Sequence, residues 1–144
     1  MTPEQENQIR ESFDHQSMMT TFGASLDDLT PGTCRISAPI LDGNQQQHGF
    51  GHAALTFGLG DTAAGYAAMS VMEPGHEVLT AEIKISLVSP AKGYRLIAEG
   101  TVLRAGRRLI TVEAKVFAKD AGENRLIAVL LGTMVPVKPK PTAT

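Results

Sequence analysis

The chain has 144 residues, a net charge of −2 and a single cysteine, with 42% hydrophobic and 19% charged residues. That length suits one domain able to bury about two thirds of its unfolded surface. The near-neutral charge gives no nucleic-acid footprint, the lone Cys34 excludes a disulfide framework or paired-cysteine metal motif, and Gly, Asp or polar residues interrupt every apolar run before 18 residues, so no membrane span is expected.

The opening Met1-Thr2-Pro3-Glu4 is polar and acidic, unlike a secretory leader, and the expectation is a soluble cytoplasmic protein. Thr2-Pro3-Glu4-Gln5 reads as a cap, a first-turn proline and a capping box opening a short helix at about 3–14, with Ile9 and Phe13 on one side. Two strands, about Met19 to Leu29 and Thr33 to Ile40, flank Pro31-Gly32, with Cys34 as a small buried hydrophobe. An irregular segment from Leu41 to Gly51 leads into a helix expected over Ala53–Met72 and closed by Pro74-Gly75. Val78 to Val88 then alternates: Leu79, Ala81, Ile83, Ile85 and Leu87 make a core face, Thr80, Glu82, Lys84 and Ser86 a polar one. Strands follow near Tyr94–Arg104, Arg108–Lys119 and Arg125–Val135, joined by links short enough for antiparallel neighbours. The domain is expected to span residues 1–137, with Lys138 to Thr144 a disordered tail.

The stretch QQQHGFGHAALTFGLGDTAAGYAA, Gln45 to Ala68, holds the chemistry. Its helix is Ala, Gly, Leu, Met, Phe and Tyr nearly all round, with Asp61 as its only charge. A carboxylate inside an apolar shell is costly unless it has a partner or performs proton chemistry. Gly58, Gly60 and Gly65 weaken the helix by about 1 kcal/mol each, which makes sense where another backbone or a thin ligand passes close by. One helix followed by a long antiparallel meander is an α+β plan in which five to six strands curl round the helix.

Gln46, Gly49 and His52, with Asp61 nine residues after the histidine, keep the spacing Asn-x-x-Gly-x-x-His-Gly-Gly followed by Asp. On those residues the chain resembles the hotdog-fold acyl-CoA thioesterases, most closely the phenylacetate-pathway (PaaI-like) subgroup. The likeness extends over Leu79-Thr80-Ala81-Glu82, the turn at Ser89–Lys92 and the hairpin Arg104–Arg108, and covers about Met18 to Val135. Gln46 stands for the usual Asn, and Ala53-Ala54 for Gly-Gly, which narrows the site by two methyls.

The resemblance implies that the Ala53 N–H, at a helix N-terminus, and the Gln46 amide polarise a thioester carbonyl, with His52 holding the loop and orienting Gln46. Asp61 would be general base or nucleophile, and Thr80 the hydroxyl that orients the water. Arg104, Arg107 and Arg108 would bind coenzyme A phosphates, while the acyl chain, aryl or medium to long, would run between helix and sheet past Gly49, Phe57, Tyr66 and the neighbourhood of Met18 and Met19. Coenzyme A is then part of the substrate, and no cofactor or metal is implied. Ala53 and Asp61 are eight residues apart, about 12 Å along a helix, too far to touch one carbon, so the sites are expected to be shared across a two-fold homodimer, itself paired into a dimer of dimers.

Plainer readings exist for each residue. Asp61 could cap a loop, His52 could simply enter the helix, strands favour Thr anyway, and three arginines at a hairpin tip could be solvated. His48 and His52 lie four apart, but no Glu follows His48 and no cysteine cluster is near, so they do not read as metal ligands. Two other functions fit a hotdog domain: an enoyl-CoA hydratase or dehydratase, and a non-catalytic acyl-CoA sensor. The chain has no G-x-S-x-G elbow, P-loop or dinucleotide glycine fingerprint.

Overall fold

The computed structural model describes residues 1–140. The elements are α1 (Pro3–Asp14), α2 (Ser17–Phe22), β1 (Ser25–Thr30), β2 (Thr33–Pro39), a 3-10 turn at Asp42–Asn44, α3 (Ala53–Met69), β3 (Glu77–Leu87), β4 (Arg95–Ala105), β5 (Ile110–Asp120) and β6 (Glu123–Val137). All six strands form one antiparallel sheet in the order β1-β2-β4-β5-β6-β3. The chain leaves β2, runs through α3 and sets β3 down at the far edge beside β6, so the helix must span the sheet. It touches β2, β3, β4, β5 and β6, the hotdog arrangement expected from the sequence.

β4, β5 and β6 form a meander because their links are short. Between β5 and β6, Ala121 and Gly122 both take left-handed φ, 49° and 84°, the two-residue turn whose twist suits a hairpin. The inner faces of these strands carry Leu96, Ala98, Val112, Ala114 and Val116, all fully buried against Leu55, Leu59 and Ala63 of α3. Gly100 sets how close the layers come: a Cβ there would stand 2.4 Å from the Ala63 carbonyl, so the helix backbone rests directly on β4.

α1 is docked. Thr2 and Gln5 form the capping box, Ile9 and Phe13 are buried, and Phe13 meets the Tyr66 ring edge-on with centroids 6.2 Å apart. Gln5 Nε2 also donates to the Met72 carbonyl at 3.1 Å. Cys34 is buried on β2, and loss of hydration pushes its thiol up to about 12, so it stays a neutral hydrophobe.

Four expectations need correction. Met19 to Phe22 belongs to α2, not to a strand: Met19 and Phe22, one turn apart, bury the same helix face, and Gly23 ends the helix at φ 67°. α3 stops at Met69, with Ser70 as its C-cap, before Pro74-Gly75. The core face of β3 is not Leu79 through Leu87, for Leu79 is 60% and Leu87 57% exposed. A bulge between Thr80 and Glu82 skips Ala81 and switches the alternation, so Val78 packs inward before it and Ile83 and Ile85 after it. Finally, α3 is not buried all round: Ala53, Ala54 and Phe57 are exposed, and Gly58, Asp61 and Thr62 half-buried, along one stripe.

β6 also continues through Pro136 to Val137. Proline is tolerated there because β5 pairing ends at Met134, leaving no partner on that side for an N–H. Of the expected tail, Lys138 to Lys140 carry no regular structure, and residues 141–144 lie outside the described residues.

Candidate active site

The loop before α3 is tied down by its own backbone. The Gly51 N–H donates to the Ala91 carbonyl, the Gln46 N–H to the Phe50 carbonyl and the Gly49 N–H to the Gln46 carbonyl, at 2.8, 2.8 and 3.1 Å. Gly49 closes that turn at φ +84°, a conformation that L side chains rarely adopt. Gln46 Oε1 then accepts from the His48 and Phe50 N–H groups at 2.5 and 3.3 Å. With the carbonyl end held, the amide NH2 of Gln46 is left to donate elsewhere.

His52 caps α3: its Nδ1 accepts from the Ala54 N–H at 2.8 Å, and its own N–H donates to the Asn44 carbonyl at 2.9 Å. The Nδ1 side of the ring thus bonds its own helix, and no bond from the ring to Gln46 is present among the described residues. The Leu55 N–H donates back to the His52 carbonyl at 2.9 Å. Of the amides that begin the helix, Ala53 alone has no acceptor among the described residues, and the dipole places partial positive charge there. Ala53 and Gln46 line one cavity of about 410 Å³ with Phe50, Gly51 and Thr56.

Asp61 sits elsewhere, two turns along α3. It is half-buried on the open stripe, not enclosed in an apolar shell, and accepts from Thr80 Oγ1 at 2.8 Å. The bulge in β3 lets Thr80, which the sequence assigns to the solvent side, face α3 at this point. Asp61, Thr80 and Thr62 open into a second cavity of about 200 Å³, whose other wall holds Tyr66 with Ser12 from α1 and Gln16, the N-cap of α2. Ser12 and Gln16 were not singled out from the sequence. Ser12 follows Ile9 at i+3 and shares the stripe that buries Ile9 and Phe13, while Gln16 is brought in by the corner between α1 and α2.

Arg107 and Arg108 line a third cavity, of about 930 Å³, between the end of α3 and the β4–β5 hairpin. Lys138 and His76 share it, and His76 Nδ1 is buried there with no hydrogen-bond partner among the described residues; Arg104 lies outside it. Phe57 is 36% exposed on the open stripe of α3, not in the core.

The Thioesterase superfamily model matches residues 48–124, more than half of the chain. A thioesterase family protein of Silicibacter pomeroyi is 37% identical, its structure superposing with a TM-score of 0.91 over 93% of this chain and 98% of that one. A candidate esterase of Deinococcus radiodurans is 30% identical over 119 residues, 82% of this chain and 77% of its own. The Escherichia coli PaaI protein of the phenylacetic acid degradation operon shares the fold alone, at 16% identity and TM-score 0.82 over 94% and 95% of the two chains. The chain belongs to the Thioesterase superfamily and is a thioester hydrolase of hotdog fold.

Proposed function

We propose that the protein hydrolyses acyl-CoA thioesters at sites shared between two copies of the chain. The observation that carries this reading is the division of the machinery: a free helix-start amide beside Gln46 in one cavity, and the Asp61–Thr80 pair in another. Eight residues of helix separate them by about 12 Å, so one chain cannot bring both to a single carbon. A two-fold axis along the open stripe of α3 would set Ala53 of one copy opposite Asp61 of the next. β3 leaves an unpaired sheet edge on the same side of the fold as that stripe, and further pairing into a dimer of dimers is part of the proposal.

In such a site the thioester oxygen accepts from the Ala53 N–H and Gln46 Nε2, which stabilise the charge that grows there. Asp61 either takes a proton from the attacking water or attacks the carbonyl itself to form an anhydride that water then cleaves; in both routes the C–S bond breaks, the free acid is released and the coenzyme A thiolate takes up the proton that the water gives up. Thr80 holds one Asp61 oxygen, leaving the other free to act. The phosphates of coenzyme A would rest in the basic cavity on Arg107 and Arg108, with Lys138 and His76 near. The chemistry as proposed uses no cofactor.

Free-thiol release from a panel of aryl- and alkyl-CoA esters tests this. Hydrolysis by the parent protein that is lost in Asp61→Asn, with acyl-CoA affinity kept, is the expected result. Ligand binding without thiol release by the parent would point to an acyl-CoA sensor, and addition of water to an enoyl-CoA to a hydratase.

A further inference from the structure

The cavity beside Asp61 has a polar far wall. Tyr66, only 3% exposed, has its hydroxyl 3.0 Å from Ser12 Oγ and accepts from Gln16 Nε2 at 2.6 Å. Two hydroxyls carry two protons, and the single bond between Ser12 and Tyr66 uses one of them. The other has no acceptor among the described residues, and neither does Gln16 Oε1 have a donor, so the wall offers one spare donor and one spare acceptor side by side. An apolar acyl tail pressed against this wall would leave both unsatisfied.

Size and charge narrow what fits. A cavity of about 150 Å³ holds one benzene ring, so the roughly 200 Å³ here matches the bulk of a short acyl group. Tyr66 lies five residues beyond Asp61, about 7.5 Å along the helix, which an extended chain crosses in about six bonds. Asp61 and Glu77 line the same cavity, so a carboxylate at the far end would meet like charge, whereas a hydroxyl can both donate and accept.

Resting on the thioesterase reading, we propose that α1 and the corner leading into α2 build the distal end of the acyl pocket and that Ser12, Gln16 and Tyr66 select short acyl groups bearing a terminal hydroxyl. Ser12 and Gln16 are then specificity residues and not merely the means by which α1 docks.

Hydrolysis of hexanoyl-, 6-hydroxyhexanoyl- and adipoyl-CoA by the full chain tests it. The hydroxylated ester should exceed hexanoyl-CoA in kcat/KM by about tenfold, the adipoyl ester falling below both. Tyr66→Phe should bring the hydroxy-to-plain ratio close to one, whatever it does to hexanoyl-CoA hydrolysis itself. Ser12→Ala, on the half-buried face of α1, should lower the same ratio and serves if Tyr66→Phe folds poorly. Equal rates for the two esters, an unchanged ratio in the variants, or a preference for chains longer than about eight carbons would overturn the pocket assignment with the thioesterase reading intact. Hydrolysis of none of a broad acyl-CoA panel would overturn both.

Discussion

The two faces of α3 are built to different rules. Toward the sheet, Leu55, Leu59, Ala63 and Ala67 are at most 1% exposed, and Gly100 lets the helix backbone lie on β4. Away from the sheet, Ala53, Ala54 and Phe57 are open, and Asp61 is bonded only to a hydroxyl on an edge strand. On the first face a substitution should cost the fold; on the second it should cost the reaction and leave the fold nearly untouched.

The largest contrast should come from Gly100→Val. Its Cβ would stand 2.4 Å from a helix carbonyl that cannot retreat without unseating α3, so denaturation should show a loss of more than about 3 kcal/mol, or no soluble protein. A stable Gly100→Val protein would break the claim that the helix backbone rests on the sheet. Asp61→Asn should lower kcat by about a thousandfold while Tm moves by no more than about 2 °C, because the amide oxygen can still accept from Thr80 Oγ1 at this half-buried position. Gln46→Ala, which removes a donor but leaves the helix amide, should cost about a hundredfold in kcat. Thr80→Val should cost about tenfold in kcat, since it removes the hydroxyl that holds one Asp61 oxygen. A Tm falling in step with kcat in Asp61→Asn or Thr80→Val would show that the open face is structural after all.

Much of this division could be read from the chain. The capping box at Thr2 and Gln5, the long small-residue helix and the antiparallel meander were legible because each is written in local spacing, and the structure shows them where expected. Asp61 as the helix's lone acid and the Gln46, Gly49, His52 spacing pointed to the loop and helix in which the two proposed half-sites lie. What stayed hidden depends on context. The bulge that skips Ala81 leaves no mark in an alternating sequence, yet it decides that Thr80 meets Asp61 and that Leu79 faces out. Met19 and Phe22 suit a strand by composition, and only packing makes them a helical turn. His52 looked like a residue that orients Gln46, but a histidine ring at a helix start is also a good cap, and its Nδ1 makes that local bond. Ser12 and Gln16 carry no signal until α1 is seated against Tyr66.

The central claim is that two chains complete each site, and mixing two disabled chains tests it most directly. Asp61→Asn and Gln46→Ala proteins, each nearly inactive alone, would be unfolded together in equal amounts and refolded. Half of the dimers would then be mixed, and each mixed dimer would carry one intact site, so about a quarter of the parental thiol-release activity should return. Activity no higher than the average of the two separate variants, from a mixture shown to contain mixed dimers, would contradict the account.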